Sequence, residues 1–278
     1  MTVDTGAAFR ALHRPGEPFV LANAWDVGSA RLLAALGAKA IATSSAAHAF
    51  TLGRGDMNVT RDEALAHAQD LVAATPLPVQ GDFENGFGDA PETVAETVRL
   101  AAGIGLAGIC IEDVAPPDGA AYGRDEAVER IRAAVAAARA LPRDFVLTAR
   151  ADGVMTGAYG MDEGLARIRA FEKAGADCLY LPLPPNMDDV RAVCEAVSAP
   201  VNALAAGPFT NVSLAGFAAA GVARVSLGSA LARATHRLIV DAARAMFEDG
   251  DFTPLSRSIG GAEVDAMLES GAKGSGNV

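Results

Sequence analysis

Little in this chain is aromatic: Phe, Trp and Tyr make up 5% of the 278 residues, while 51% are hydrophobic. A core of this kind is built from aliphatic strands and closely packed, Ala-rich helices. Cysteine is scarcer still. The three present, Cys110, Cys178 and Cys194, are odd in number and widely spaced, which excludes a cysteine metal motif or a redox pair. Cys110 and Cys178 fall within apolar strand candidates and read as packing residues. Excess positive charge is also missing. At a formal net charge of −11 the chain excludes nonspecific binding to nucleic acid or to an acidic membrane. No apolar run approaches the roughly 20 residues that span a bilayer. The amino terminus lacks the basic, apolar, small-residue order of a signal peptide. A reduced, cytoplasmic setting is the expectation. A Gly-x-Ser-x-Gly elbow, a P-loop and a Gly-x-Gly-x-x-Gly fingerprint are absent from the strand–helix contexts they require.

What is present is one unit, repeated. Leu36-Gly-Ala-Lys-Ala-Ile-Ala, Ile104-Gly-Leu-Ala-Gly-Ile-Cys, Ala174-Gly-Ala-Asp-Cys-Leu and Ala220-Gly-Val-Ala-Arg-Val-Ser follow one logic. An Ala-rich helix stops at a glycine able to adopt positive φ, and a buried strand begins within a few residues. Strands are expected at 19–23, 39–43, 77–81, 107–111, 145–149, 177–181, 199–204 and 223–227. Helices are expected near 27–36, 60–74, 91–104, 125–140, 161–174, 187–197, 211–220 and 229–248. Short, uninterrupted apolar strands suit a parallel sheet covered on both faces. About eight such units in roughly 250 residues predict an α/β fold, a (β/α)8 TIM-type barrel; an open doubly wound sheet is the rival. No Pro/Ser-rich linker divides the chain. The expected organisation is one barrel domain over 1–256 and a C-terminal tail, 257–278, with a short helix near 262–269 and a mobile end.

In a barrel, the residues just after each strand face one another. Strand one ends in Asn23-Ala-Trp-Asp26 and strand two in Thr43-Ser-Ser-Ala46. Strand three gives Asp82 and Glu84, strand four Glu112 and Asp113. Strand five ends in Arg150, strand six in Pro182, strand seven near Asn202 and strand eight in Gly228-Ser229. Asp26 fits a helix N-cap, and Asp89 or Pro91 opens the helix after the glycines. Arg150 is open to a structural reading, salt-bridged to a neighbouring acid. Asp82, Glu84 and Glu112 resist a purely structural account, because unpaired buried charges are costly. A hard divalent ion, magnesium first, suits such oxygen donors. Histidine offers no strong alternative: His13 precedes the barrel, and His67 and His236 lie in helix patterns. His48 follows strand two, where reaching the site, capping and packing are all open to it.

These residues together resemble the isocitrate lyase / phosphoenolpyruvate mutase superfamily, in a 2-methylisocitrate lyase-like or carboxyphosphonoenolpyruvate mutase-like form. The similarity runs over roughly residues 10 to 250. The family's Asp-x-Asp-x-Gly-x-Gly matches Asp82-Phe-Glu-Asn-Gly-Phe-Gly88, with Glu84 replacing the second Asp. Its Leu/Ile-Glu-Asp signature matches Ile111-Glu-Asp113, its Gly-x-x-Asp matches Gly53-Arg-Gly-Asp56, and its Ala-Arg matches Ala149-Arg150. The resemblance implies a Mg2+ site (Mn2+ a possible substitute) with Asp82 as direct ligand. Asp56, Glu84 and Glu112 would bind the ion directly or through its waters. It further implies that Arg150 and the backbone amides of Ser44, Ser45 and Ala46 grip a substrate carboxylate, with Asn202 as the lyase-like strand-seven amide. A homo-oligomer, tetramer or dimer, exchanging the last barrel helix is implied as well.

One departure bears on chemistry. The lyases' Lys-Arg-Cys-Gly loop after strand four is replaced by Val114-Ala-Pro-Pro-Asp-Gly-Ala-Ala-Tyr-Gly-Arg124, so their acid/base cysteine and gating lysine are missing. Asp118, Tyr122 and Arg124 are the proton or charge carriers left there, each equally open to being a loop residue. The expected function is a Mg2+-dependent lyase cleaving a C–C bond in a small α-keto or 2-hydroxy di- or tricarboxylate through a metal-stabilised enolate. Arg150, Glu112, Asp56 and Tyr122 are the expected catalytic residues. Alternatives are mutase or hydrolase chemistry on a P–C bond, and a non-catalytic α-keto acid-binding barrel.

Overall fold

Eight parallel strands close on themselves in the computed structural model, which describes residues 4–274. They are β1 (Phe19–Asn23), β2 (Ile41–Ala42), β3 (Val79–Asp82), β4 (Gly108–Glu112), β5 (Val146–Arg150), β6 (Cys178–Tyr180), β7 (Val201–Leu204) and β8 (Arg224–Ser226). Phe19 pairs with Arg224 and Leu21 with Ser226, which closes the ring and excludes the open-sheet rival. The covering helices are α1 (Val27–Ala35), α2 (Arg61–Ala74), α3 (Pro91–Gly103), α4 (Arg124–Arg139), α5 (Met161–Ala174), α6 (Met187–Glu195), α7 (Leu214–Ala219), α8 (Ala230–Glu248) and α9 (Gly261–Lys273). The (β/α)8 barrel is therefore the fold. Among the described residues, no helix is long and apolar enough to cross a membrane.

Local chemistry sets the boundaries. The repeated helix-end glycines, Gly37, Gly105, Gly175 and Gly221, hold φ of 94°, 98°, 99° and 89°, a region that costs glycine nothing and other residues much. Asp26 caps α1 by accepting from the Ser29 amide at 2.6 Å. The start of α3 differs from expectation only in Asp89, since Pro91 opens the helix and no side chain caps it. Strands β3, β4 and β5 each extend one residue past the expected end. Asp82, Glu112 and Arg150 are thus the last residues of strands, with backbones pinned by sheet pairing, and do not sit on loops.

Elements the apolar pattern did not reveal include helices Thr5–Leu12 and Ser45–Thr51 and the small ribbon Val114–Ala115/Ala120–Ala121. The first of these closes the amino-terminal end of the barrel, burying Phe9 against Phe19 with rings edge to face at 6.2 Å. The barrel interior is also more polar than the expected layers of branched aliphatics. Gln80, Thr148, Asn202 and Arg224 are all buried there.

The C-terminal helix runs further than expected and packs along α1. The expected mobile end lies in 275–278, outside the described residues. The packing is close: a Cβ at Gly271 would stand 1.9 Å from the Arg31 carbonyl oxygen. Helix α8 behaves differently. Only Ala232 of it is buried, and Leu238, Ile239 and Phe247 are 64%, 64% and 84% exposed.

Two glycine-to-alanine changes should therefore differ in sign. Gly271→Ala forces α9 off α1 and is expected to lower stability by about 1–3 kcal/mol. Gly103→Ala, where nothing lies within 4 Å of the new methyl, should be neutral or stabilising by up to about 1 kcal/mol. Urea unfolding of both variants checks this.

Candidate active site

Arg150 closes β5 directly opposite Glu112 of β4 and Tyr180 of β6. Its Nη1 lies 2.7 Å from Glu112 Oε1 and 3.6 Å from Asp82 Oδ1, and its Nε donates to Asp152 Oδ1 at 2.5 Å. The guanidinium also sits 5.2 Å from the Tyr180 ring centroid. Burial disfavours its charge, but Asp152 and Glu112 outweigh that and hold its pKa well above the ordinary arginine value. Asp113, next to Glu112, turns the other way. It accepts from the Asp152 amide at 2.8 Å, the Tyr159 hydroxyl at 2.7 Å and Arg167 at 2.9 Å, locking together the segments after β4 and β5.

The second half of the rim is acidic. Asp82 Oδ2 accepts from the Ser45 amide at 3.0 Å and its hydroxyl at 3.3 Å. Ser44 caps helix Ser45–Thr51 through the Ala47 amide, so Asp82 lies at that helix's positive end. Of the amides expected to hold a substrate carboxylate, Ser45's is therefore taken by Asp82. Asp56, on an exposed loop, turns toward Ser45 and Asp82, and local desolvation together with the Asp82 charge raises its pKa. Glu84 is 2% exposed, and its backbone adopts φ +47°, a conformation that costs energy outside glycine. Its Oε1 is buried without a hydrogen-bond partner. Burial first, then Asp82 and Asp56, push its carboxyl up to about 7.

This pattern fits a hard cation. The Asp82 charge raises the cost of ionising both Asp56 and Glu84, one buried oxygen lacks a partner, and the donors are oxygens. Glu112 is the exception, because Arg150 already occupies it. Among the described residues, no three or more acidic, imidazole or thiol groups stand close enough together to hold a metal ion as the side chains are placed.

Asn202 lines the same axial cavity, of about 30 Å³, as Arg150, Asp82, Tyr180 and Ser226. Its Oδ1 accepts from Arg224 Nε at 2.9 Å and its Nδ2 donates to Ser226 Oγ at 2.9 Å. Tyr122 is a correction. Its hydroxyl donates to Asp89 at 2.5 Å and accepts from Asn85 at 2.8 Å, and its ring lies beneath Arg130. It braces the glycine turn and does not line the axial cavity, because the ribbon after β4 carries it outward. His48 and His67, stacked at 3.8 Å, pack behind Ser45 and Glu84. Asp152 and Tyr180 were missed: Asp152 lies two residues beyond its strand, and Tyr180 sits inside the apolar run Leu179-Tyr-Leu181.

A family model described as phosphoenolpyruvate phosphomutase matches residues 9–247. The 2-methylisocitrate lyase of Salmonella typhimurium is 32% identical over 205 residues, 70% of this chain and 68% of that protein. A provisionally assigned lyase/mutase from Burkholderia cenocepacia superposes with a TM-score of 0.93 at 48% identity, covering 98% of each chain. Oxaloacetate acetylhydrolase with its product oxalate superposes with a TM-score of 0.84 at 26% identity, covering 95% and 94%.

Glu84 sets a pH test. Its folded pKa of about 7 lies above the ordinary 4.5, so the folded state holds the extra proton between those values and stability falls as pH rises through that window. In EDTA, Glu84→Gln should be more stable than the parent protein at pH 8, with the gain fading towards pH 4.5. Urea midpoints at the two pH values measure it.

Proposed function

The chain belongs to the phosphoenolpyruvate phosphomutase family, whose relatives are lyases and mutases, and from that premise we propose a Mg2+-dependent carbon–carbon lyase acting on a small α-keto or 2-hydroxy di- or tricarboxylate. The observation that carries this reading is the grouping of Asp56 and Glu84 around Asp82, with Asp82 beside the buried Arg150. Asp82, Glu84 and Asp56 would hold the ion, with Glu112 reaching it only through water. The ion would supply Lewis-acid polarisation of the substrate's keto or hydroxyl oxygen.

The protein's own groups divide the remaining work. Arg150, fixed by Asp152 and Glu112, offers an oriented guanidinium to a substrate carboxylate and to charge developing beside it. The Asn202 amide, oriented by Arg224, presents its nitrogen towards Ser226 and the cavity. Tyr180 walls the cavity. The Tyr122 hydroxyl is held by Asp89, and the short segment after β4 supplies neither cysteine nor lysine. A β-keto acid decarboxylation asks least of such a site, because solvent can deliver the proton. Oxaloacetate is therefore the first substrate to try. Phosphorus–carbon chemistry is the second reading, favoured by the description of the matching family model.

Oxaloacetate, isocitrate, 2-methylisocitrate and phosphonopyruvate should be screened with Mg2+ and with EDTA, products being read by carbon and phosphorus NMR. Carbon–carbon cleavage that EDTA abolishes is expected. Asp82→Ala should lower kcat/KM by about two to three orders of magnitude. Turnover unchanged by EDTA, or full activity in Asp82→Ala, refutes the reading.

We also propose, within this reading, a cytoplasmic homo-oligomer in which a second copy covers α8, since a helix that leaves Leu238, Ile239 and Phe247 bare suits an apolar partner. Leu238→Glu with Phe247→Glu should then convert the assembly to monomer in light scattering. A wild type already monomeric at high concentration contradicts it.

A further inference from the structure

The least expected charge in the molecule is Arg224, in the first position of β8. Its side chain points into the barrel and is 1% exposed. Each of its contacts is neutral. Nε donates to Asn202 Oδ1 at 2.9 Å, Nη1 to Gln80 Oε1 at 2.6 Å and Nη2 to Thr148 Oγ1 at 3.2 Å. Nη1 also lies 3.1 Å from His13 Nε2. The His13 tautomer follows, because its Nδ1 is 2.9 Å from the Phe9 carbonyl, which can only accept. Nδ1 therefore carries the hydrogen and Nε2 is a bare acceptor for the guanidinium. Burial and the Arg224 charge hold the imidazole neutral, with its pKa down to about 3. Among the described residues no carboxylate stands within ion-pair distance of Arg224.

Leaving a buried guanidinium without a counter-ion is expensive, and protein interiors ordinarily pair such charges. Arg130 is also buried against carbonyls, but it has Asp89 nearby and lies away from the axial cavity. Arg224 opens into that cavity, at the opposite end from the acidic rim. The charged groups lining the cavity are Asp82, Arg150 and Arg224. Arg150 already faces three carboxylates. The unbalanced positive charge therefore belongs to Arg224.

We propose that Arg224 is the anion-selecting and positioning residue of this cavity, its missing counter-charge being supplied by a carboxylate of the bound substrate above it. It acts in two ways. Its Nε occupies Asn202 Oδ1 and so fixes that amide with its nitrogen towards the cavity, where one N–H donates to Ser226 Oγ and the other is the donor available to a ligand oxygen. Its charge makes the cavity favour ligands with at least two negative groups, one toward Arg150 and the rim, the other nearer the floor. This rests on the dicarboxylate reading of the site and narrows it, since a neutral or singly charged α-keto compound leaves Arg224 unbalanced.

Gln80→Glu tests the idea without opening a hole. The change is isosteric and places a carboxylate 2.6 Å from Nη1, giving Arg224 an internal counter-ion. Oxalate binding is measured by calorimetry at pH 8, in Mg2+ and in EDTA, for wild type, Gln80→Glu and Arg224→Gln, with thermal melting run on each. Gln80→Glu should melt no lower than wild type yet bind oxalate roughly tenfold or more weakly, the scale of one charge-assisted contact. Its affinity for singly charged oxamate should change less than twofold. Arg224→Gln should lose oxalate affinity likewise. Equal loss for oxalate and oxamate, or an oxalate affinity in Gln80→Glu within about twofold of wild type, overturns the proposal and leaves the lyase reading intact. Oxalate binding that persists in EDTA yet falls in Gln80→Glu sinks the metal requirement and upholds the role of Arg224. A wild type that binds no oxalate in either buffer overturns both.

Discussion

Like charge crowded at one rim organises this barrel. Asp82, Glu112 and Asp152 approach a single guanidinium, that of Arg150, with Asp56 and Glu84 gathered around Asp82, and sheet pairing gives Asp82, Glu112 and Arg150 no freedom to drift apart. Glu112 and Arg150 face each other as register partners at the ends of β4 and β5. Asp82 ends the next strand along. The arrangement persists because Asp113 and Arg167 fasten the loops from behind and Ser45 holds Asp82 at a helix start. What remains unsatisfied is concentrated at Glu84, a buried carboxyl on a strained backbone with one oxygen unpartnered. Strain of this kind survives only where surrounding structure overrides it, and it gathers at functional sites.

Deeper in the barrel the sign reverses. A polar girdle of Gln80, Thr148 and Asn202 surrounds Arg224, and the N-terminal helix brings His13 to its far side as a neutral acceptor. The cavity thus runs from an acidic mouth to a cationic floor. A ligand carrying a metal-binding end and a second anionic end would meet complementary charge at both.

The fold was legible because the glycine-ended helices and uninterrupted apolar strands repeat with one period. Gly37, Gly105, Gly175 and Gly221 mark four of the helix-to-strand turns without ambiguity. The rim acids were legible for a related reason: in a parallel barrel, strand ends converge whatever the sequence separation. Direction within the site was not. Glu112 and Asp113 are neighbours in sequence but point to opposite sides, one to Arg150 and one to Arg167, and alternation alone does not say which faces the cavity. Tyr122 was assigned by its place on a loop, and the ribbon after β4 takes it elsewhere. Arg224 looked like part of an ordinary last strand, since a lone charge in an apolar run gives no hint of the four neutral groups, far apart in sequence, that accept it.

The central claim is that the carboxylates of Asp56, Asp82 and Glu84 stand together to share a divalent cation. Anomalous diffraction from crystals soaked in Mn2+ tests it most directly. The account predicts one strong peak bonded to Asp82, within reach of Glu84 and Asp56, with Arg150 still paired to Glu112 and Asp152. Full manganese occupancy elsewhere, or a rim in which Glu84 stays unligated at saturating manganese, would contradict it.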